Sequence, residues 1–184
     1  MAKDLNTFRE KFQGTRPNRF VVNIGKPAGL EATLSPPTNL DLYVKAASAP
    51  GSSIGIIPTP WMGRVVKFSG ERTYADWTIQ VYDSSVNNTD LRTFFEGWID
   101  KMDSRNQHDI DYKLTANATV KWNDINAATG VGVHGDQTNF KSIITLRNAF
   151  PIDISLMELN YDLIDTFAEF TITLAYDYWE FGGP

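Results

Sequence analysis

The chain has 184 residues, of which 42% are hydrophobic and 21% are charged, and its formal net charge is −5. This length and composition suit a globular domain with a substantial core. The negative charge argues against a protein that binds the phosphate backbone of nucleic acid. The absence of cysteine excludes disulfide frameworks, zinc–thiolate sites and cysteine nucleophiles.

Alternating apolar and polar residues predict β-strands in the first half of the chain. The pattern places them at residues 19–24, 40–46, 65–68 and 76–82. Residues 25–39 and 47–60 are rich in Pro, Gly, Ala and Ser, which is typical of loops, and Ser69-Gly70 is predicted to begin a turn.

A helix is predicted at about residues 89–102, where apolar residues recur at helical spacing. Asn88 or Thr89 can cap its N-terminus, and Asp90 suits the positive end of its dipole. The apolar stripe consists of Leu91, Phe94, Phe95, Trp98, Ile99 and Met102. Such a stripe either binds a partner or packs on the protein's own sheet, and we favour packing.

The second half of the chain also has strand patterns. Residues 112–122 are predicted to form one or two strands, residues 123–139 a polar loop, and residues 140–147 and 151–161 further strands. Residues 168–178 are predicted to be the longest strand, with apolar side chains on one face. Many strands and a helix indicate an antiparallel β-sandwich or barrel with one flanking helix.

Patterns that could indicate other functions are weak. Gly130, Gly132 and Gly135 form G-x-G-x-x-G, but no strand precedes them and no helix follows, so a loop is favoured. His108 and His134 lack a set of partners for a metal site. Three tryptophans could form an exposed sugar-binding platform, and these are Trp61, Trp122 and Trp179.

Five segments, in this order, resemble the tail tube proteins of contractile-tailed phages. They are residues 15–20 (TRPNRF), 60–64 (PWMGR), 70–77 (GERTYADW), 150–151 (FP) and 174–180 (LAYDYWE). The resemblance extends over about residues 7–180, and the chain departs from the family in longer loops at residues 27–39 and 123–139.

The resemblance implies one tail tube domain over residues 1–184, with an N-terminal arm at 1–18 and a C-terminal tail at 181–184. It implies hexameric rings that stack into the inner tube of a virion, assembled in the host cytoplasm. The expected partners are sheath, baseplate and terminator proteins, and DNA passes through the lumen without specific binding. No enzymatic activity, cofactor or metal is expected, and no membrane partner, because no apolar run approaches the roughly 18 residues of a span.

The resemblance also implies roles for particular residues. Trp61, Met62 and Arg64 match the family's long loop that reaches the next ring, so they are candidates for inter-ring contacts. The most specific segment contains Arg72, Thr73, Asp76 and Trp77. There we expect a buried Arg–Asp pair that holds a turn.

The lumen wall is predicted to be polar and net acidic. Residues on the polar face of the last strand are the candidates, namely Glu169, Thr171, Thr173 and Asp177. Two other functions remain open: the tube of a phage-derived contractile injection or secretion system, and a β-sandwich carbohydrate-binding module.

Overall fold

The computed structural model describes residue 5 and residues 17–30, 40–86, 89–103, 114–124, 140–162 and 164–182. The strands are β1 (Phe20–Ile24), β2 (Val44–Ala47), β3 (Ser52–Trp61), β4 (Arg64–Tyr74), β5 (Trp77–Tyr82), β6 (Ser85–Val86), β7 (Thr89–Asp90), β8 (Ala116–Asp124), β9 (Phe140–Ile154), β10 (Glu169–Ala175) and β11 (Tyr178–Gly182). The helix α1 spans Leu91–Met102. The predicted antiparallel, mainly β fold with a flanking helix is therefore confirmed.

Within these residues, seven strands form one sheet in the order β1-β8-β9-β10-β5-β2, and β11 also pairs with β9. The order ends at β1 and β2, so the described sheet is open rather than a closed barrel. Both ends of the sheet and the helix contribute to one apolar core. The arrangement therefore resembles a sandwich folded from one sheet.

The long strand β9 joins the two halves of this sheet. Its first part lies between β8 and β11, and its last part pairs with β10. Between these parts, Asn148 has a φ of 55°, a left-handed conformation that asparagine tolerates better than most residues. The Asn148 side-chain amide donates to an Asp177 carboxylate oxygen at 2.6 Å, and the Asp177 N–H donates to the Arg147 carbonyl at 3.1 Å. These bonds define a corner in the sheet.

Strand boundaries differ from the predictions at this corner. Residues 140–147 and 151–161 were predicted as separate strands, but one strand continues to Ile154, with Pro151 paired to Leu174 beside a register shift. Such an irregular position tolerates a proline, which lacks an N–H group. The strand predicted at residues 168–178 instead breaks after Ala175, because its partner bends at Asn148.

Other boundaries also differ from the predictions. Leu40–Leu42 is a 3-10 turn that precedes β2, rather than the start of a strand. The helix begins at Leu91, its N-cap is Asp90, and that side chain makes no capping hydrogen bond. Residues 116–124 form a single strand. Strand β11 continues to Gly182, so Phe181 and Gly182, at the start of the predicted tail, are paired in the sheet.

The helix packs inward, as predicted. Leu91, Phe94, Phe95 and Trp98 are fully buried. The three aromatic rings contact one another, with centroids 5.0 to 6.3 Å apart. The Trp98 indole N–H donates to the Leu114 carbonyl at 2.7 Å, so the buried polar group of this large side chain is satisfied.

Candidate assembly surfaces

Strands β3 and β4 form a hairpin, here called the arm, whose strands pair with each other in a sheet of their own. Met62 and Gly63 form its turn with φ values of 45° and 77°, as a two-residue hairpin turn with two positive φ angles requires. Trp61, Met62 and Arg64, the candidate inter-ring residues, therefore lie together at the tip. The predicted loop at 47–60 and turn at 69–70 are wrong, because two long strands run through them. The strand predicted at 65–68 is confirmed as part of the longer strand β4.

The arm exposes apolar side chains on both faces. All of β3 is exposed, and β4 is exposed except for half-buried Gly70 and Tyr74. Cross-strand partners share a face of a hairpin. The aromatic face carries Ile57, Thr59, Trp61, Arg64, Val66 and Phe68, and the proline face carries Ile56, Pro58, Pro60, Val65, Lys67 and Ser69. Apolar surface of this extent marks an interaction site.

Proline protects the outer edge of β3. Pro58 and Pro60 lie two residues apart, so their missing N–H groups belong to the same edge of the strand. Neither residue can donate a hydrogen bond to an incoming strand. Contacts made at β3 are therefore expected to use side chains rather than extension of the sheet.

The base of the arm is held by Arg72, although not in the predicted way. The guanidinium donates from Nε and Nη2 to Ser52 Oγ at 3.1 and 2.8 Å. It also lies 5.3 Å from the ring centroid of Tyr74 and 4.7 Å from that of Trp179. Arg72 and Asp76 are both exposed, and Arg72 makes its hydrogen bonds to Ser52, so the expected buried Arg–Asp pair is wrong.

The other two residues of this motif stabilise the arm base and its connection to the core. Thr73 shares a 2.7 Å hydrogen bond with Ser53 across the hairpin. Trp77 is buried, and its indole N–H donates to the Ser48 carbonyl at 2.7 Å. The motif therefore marks the junction between the arm and the core, where β4 ends and β5 begins.

Three of the four lumen candidates share one face of the sheet. Glu169, Thr171 and Thr173 alternate with buried Phe170, Ile172 and Leu174 along β10. Their partners on β5 are Tyr82, Gln80 and Thr78, so hydroxyl and amide groups dominate this face. Asp177 differs, since it lies at the corner after β10 and accepts the hydrogen bond from Asn148.

Glu169 is bound within this face by two side chains. Its carboxylate forms an ion pair with Lys45 of β2 and accepts a hydrogen bond from the Gln80 amide at 3.1 Å. The hydrogen bond to Glu169 raises the pKa of Lys45 above its usual value. Lys45 also lies 5.6 Å from the Tyr82 ring centroid. The positive charge of Lys45 on this polar face is therefore balanced by Glu169.

A second exposed apolar region joins β9 to β10. We call residues 155–162 and 164–168 the strap. Its ends are tied to the body, because Ser155 and Thr171 exchange hydrogen bonds and the Asp83 N–H donates to the Ala168 carbonyl at 2.8 Å. Between these ties, the exposed apolar side chains are Leu156, Leu159, Tyr161, Ile164 and Phe167. Its charged residues are all acidic, and they are Glu158, Asp162 and Asp165.

A cleft of about 580 Å³ lies between the strap and the sheet. Leu159, Phe167 and Tyr82 provide its apolar surface, while Glu158 and Asp165 line it with carboxylates. The Phe167 ring meets the Tyr82 ring edge to face, with centroids 6.2 Å apart. The sequence predicts a strand over residues 151–161, which include part of the strap. No sequence pattern identified the strap, because the fold decides which apolar side chains stay uncovered.

The described residues do not support a sugar-binding platform or a metal site. Trp122 and Trp179 pack partly buried against the core, whereas Trp61 lies at the arm tip. No group of three or more His, Asp and Glu side chains suited to a metal occurs in this part of the chain. His108, His134 and the glycine motif at 130–135 lie outside the described residues. No described helix is long and apolar enough to cross a membrane.

The sequence matches the family model of the phage tail tube protein over residues 15–182. The chain belongs to the phage tail tube protein family. Among individual relatives, tail tube protein gp19 of Enterobacteria phage T4 is 25% identical over 183 residues, which cover 96% of this chain and 98% of that protein. The same protein of Enterobacteria phage T6 is equally similar.

Solved structures share the fold of this tail tube family member at lower identity. The tube-terminating cap of the anti-feeding prophage has a TM-score of 0.62 at 15% identity, covering 94% of this chain and 93% of that chain. The sheath–tube complex of the extracellular contractile injection system PVC has a TM-score of 0.59 at 14% identity, covering 100% of both chains. The predicted family is thus confirmed, and the fold is shared with contractile injection machines.

Proposed function

We propose that this tail tube protein forms hexameric rings, which stack into the inner tube of a contractile phage tail and conduct DNA to the host. The observation that carries the proposal is the exposed apolar arm on a chain of the tail tube family. A monomer would leave both faces of this hairpin in water, whereas a polymer buries them.

The arm supplies a joint between subunits. An arm that reaches from one copy to a different surface on the next makes a heterologous contact, which closes a ring or continues as a helical stack. Trp61, Met62 and Arg64 are the proposed inter-ring residues, since they lie at the tip. The junction motif, Arg72 to Trp77, positions the arm rather than contacting the neighbour.

The polar face of β10 is proposed to line the channel. Glu169, Thr171 and Thr173 lie opposite the core, and their neighbours on β5 are mostly uncharged polar groups. Free cations repeated around a ring would hold DNA by releasing counterions from its phosphates. The Glu169 carboxylate neutralises Lys45 on this face, which supports a wall along which DNA can slide.

This single-domain protein is proposed to act without catalysis or cofactor, as a virion component assembled in the host cytoplasm. The structures with the same fold come from a cap, a baseplate and a sheath–tube complex. These assemblies support sheath, terminator and baseplate proteins as partners of the tube.

A second candidate is the tube of a phage-derived contractile injection machine. The shared fold with the anti-feeding prophage and PVC structures favours it, whereas the relatives from phages T4 and T6 favour the phage tail. Neighbouring genes decide between the two, because capsid and terminase genes accompany a phage tail.

Negative-stain microscopy of the purified protein tests the proposed function. We expect hollow tubes of uniform width with six subunits in each ring. A protein that stays monomeric at all concentrations and salt conditions would contradict the proposal.

The lumen assignment has its own test, because the chain contains no cysteine. In assembled tubes, Thr171→Cys should react with a small maleimide but not with a bulky one, while Asp100→Cys on the exposed side of α1 should react with both. Equal reaction of Thr171→Cys with both reagents would show that this face is not enclosed.

A further inference from the structure

Two unpartnered surfaces of this chain have matching chemistry. The arm beyond its base, residues 56–69, carries Arg64 and Lys67 and no acidic residue, whereas the strap carries three acidic residues and no basic one. Both surfaces also expose large apolar side chains. No ion pair joins Arg64 or Lys67 to another described residue. Each surface therefore lacks, within the described part of its own chain, the partner that its charge and apolar area fit.

We propose that the arm tip docks into the cleft beside the strap of a second copy, with Trp61 inside the cleft and Arg64 against Glu158 and Asp165. This inference rests on the proposed tube function, and it identifies the surface that receives the arm. The cleft includes the Glu169 and Tyr82 end of the polar face, so a docked arm covers that end and leaves Thr171 and Thr173 to line the channel. Trp61 and Arg64 are cross-strand partners on the aromatic face, so both can meet the same surface.

The cleft has the size and lining to bind an aromatic anchor. Its volume of about 580 Å³ lies within the range of binding pockets. Tyr82, Leu159 and Phe167 offer apolar contacts to an indole, and the Trp61 side chain is 66% exposed in the isolated chain. Aromatic residues that fill pockets dominate binding energy at protein interfaces.

Electrostatics give the contact its orientation. Of the four charged residues that line the cleft, Lys45 and Glu169 neutralise each other, which leaves Glu158 and Asp165. An arginine that is buried against carboxylates forms charge-assisted hydrogen bonds of specific geometry. Complementary charge also speeds encounter and suppresses incorrect pairings.

The geometry favours a different copy as the source of the arm. Strand β3 has ten residues, so the arm extends about 33 Å at the usual rise for each residue of a strand. Its strands pair with each other and not with the main sheet. An arm that leaves one copy and enters the cleft of the next forms a head-to-tail contact, which can continue without limit along a tube.

A charge-swap experiment tests this contact. Arg64→Glu alone, and Glu158→Lys with Asp165→Lys, should each raise the protein concentration needed for tube formation by about tenfold or more, because like charges then meet. An equal mixture of the two variants should form tubes in which the variants alternate, since each contact between unlike variants joins opposite charges. A single chain with all three substitutions should recover assembly as well.

Matched controls separate this contact from general charge effects. Lys67→Glu makes the same charge change on the proline face and should affect assembly less than Arg64→Glu. Asp100→Lys, on the exposed side of α1, should have no effect. Trp61→Ala should weaken assembly while the melting temperature of the monomer stays unchanged, and Trp61→Phe should retain most of it.

The outcomes distinguish this inference from the proposed function. If wild-type tubes form but neither the mixture nor the combined chain assembles, the arm docks elsewhere. Equal effects of Lys67→Glu and Arg64→Glu would also overturn the inference, and this comparison decides the question if the strap variant unfolds. If the wild-type protein forms no tubes, the proposed function itself fails.

Discussion

The core and the arm use the same residue type in opposite ways. Trp98 is fully buried by the helix and sheet, and its indole N–H has a carbonyl partner. Trp61 is 66% exposed at the arm tip. The arm is rich in β-branched residues and forms long strands, yet beyond its base, at residues 56–69, all of its residues are exposed in the described structure. Apolar character therefore predicts that a residue is buried somewhere, but not whether its own chain or a neighbour buries it.

This difference has a thermodynamic consequence. We expect core residues to determine whether the subunit folds, whereas under the proposed function arm residues determine whether folded subunits associate. Core substitutions should therefore change the free energy of unfolding, whereas arm substitutions should change the protein concentration at which tubes form. The substitutions below test that separation.

Trp98→Ala should have the largest effect on folding. It removes a fully buried ring, leaves a cavity and removes the hydrogen bond to Leu114, so we expect a loss of about 3–5 kcal/mol in the free energy of unfolding. Chemical denaturation of the monomer measures this loss. Trp61→Ala is the matched control and should leave the unfolding free energy almost unchanged. Similar losses for the two variants would contradict the division between core and arm.

The sequence predicted the core better than the arm because the core has regular patterns. In α1, apolar residues at helical spacing correctly indicated one buried face, and in β10 strict alternation separated Phe170, Ile172 and Leu174 from polar neighbours. The arm shows no alternation, since both of its faces are apolar. Its prolines and glycines therefore suggested a loop, although they protect an edge and form a turn.

Sequence patterns also could not predict the corner at Asn148. Residues 168–178 alternate without interruption, and the break after Ala175 follows from the bend of β9, a partner distant in sequence. The resemblance to tail tube proteins did single out Trp61, Met62 and Arg64 as inter-ring candidates, and the structure places them at the arm tip. It could not identify the strap, because exposed apolar side chains become visible only when the fold leaves them uncovered.

Asn148→Ala should have the second largest effect on folding. The left-handed conformation costs alanine about 1–2 kcal/mol of conformational free energy, and the hydrogen bond to Asp177 is lost as well. Denaturation should therefore show a moderate loss of stability. Asn148→Gly is the control, since it relieves the backbone strain but also lacks the amide. If Asn148→Gly is as unstable as Asn148→Ala, backbone strain at the corner is not the cause.

Arg72→Ala should have a smaller effect on folding, of about 1 kcal/mol or less, because exposed cation–π contacts are weak. Its main effect should be on the arm, since the bonds to Ser52 and the contacts with Tyr74 and Trp179 hold the arm base. We expect faster limited proteolysis within residues 52–74 of the monomer. Arg72→Lys should give an intermediate result, because it keeps the charge and loses the planar fork. Unchanged cleavage in both variants would show that Arg72 does not position the arm.

The Lys45–Glu169 pair should give the smallest effect, and only at alkaline pH. The hydrogen bond to Glu169 raises the pKa of Lys45 above its usual value of 10.5, so the folded protein holds this proton more tightly than the unfolded chain. The stabilisation is therefore fully present below pH 10.5 and is lost as the pH rises through the raised pKa. Because the pair is exposed, the change should be small. Melting temperatures of the wild type and Lys45→Met should differ slightly at neutral pH and converge above pH 10.5.

A second group titrates at alkaline pH in both proteins, because burial raises the pKa of Tyr176. Alkaline pH therefore destabilises both proteins through Tyr176, and only the difference between their melting temperatures reports on Lys45. A difference that stays constant across this pH range would show that the ion pair does not contribute to folding.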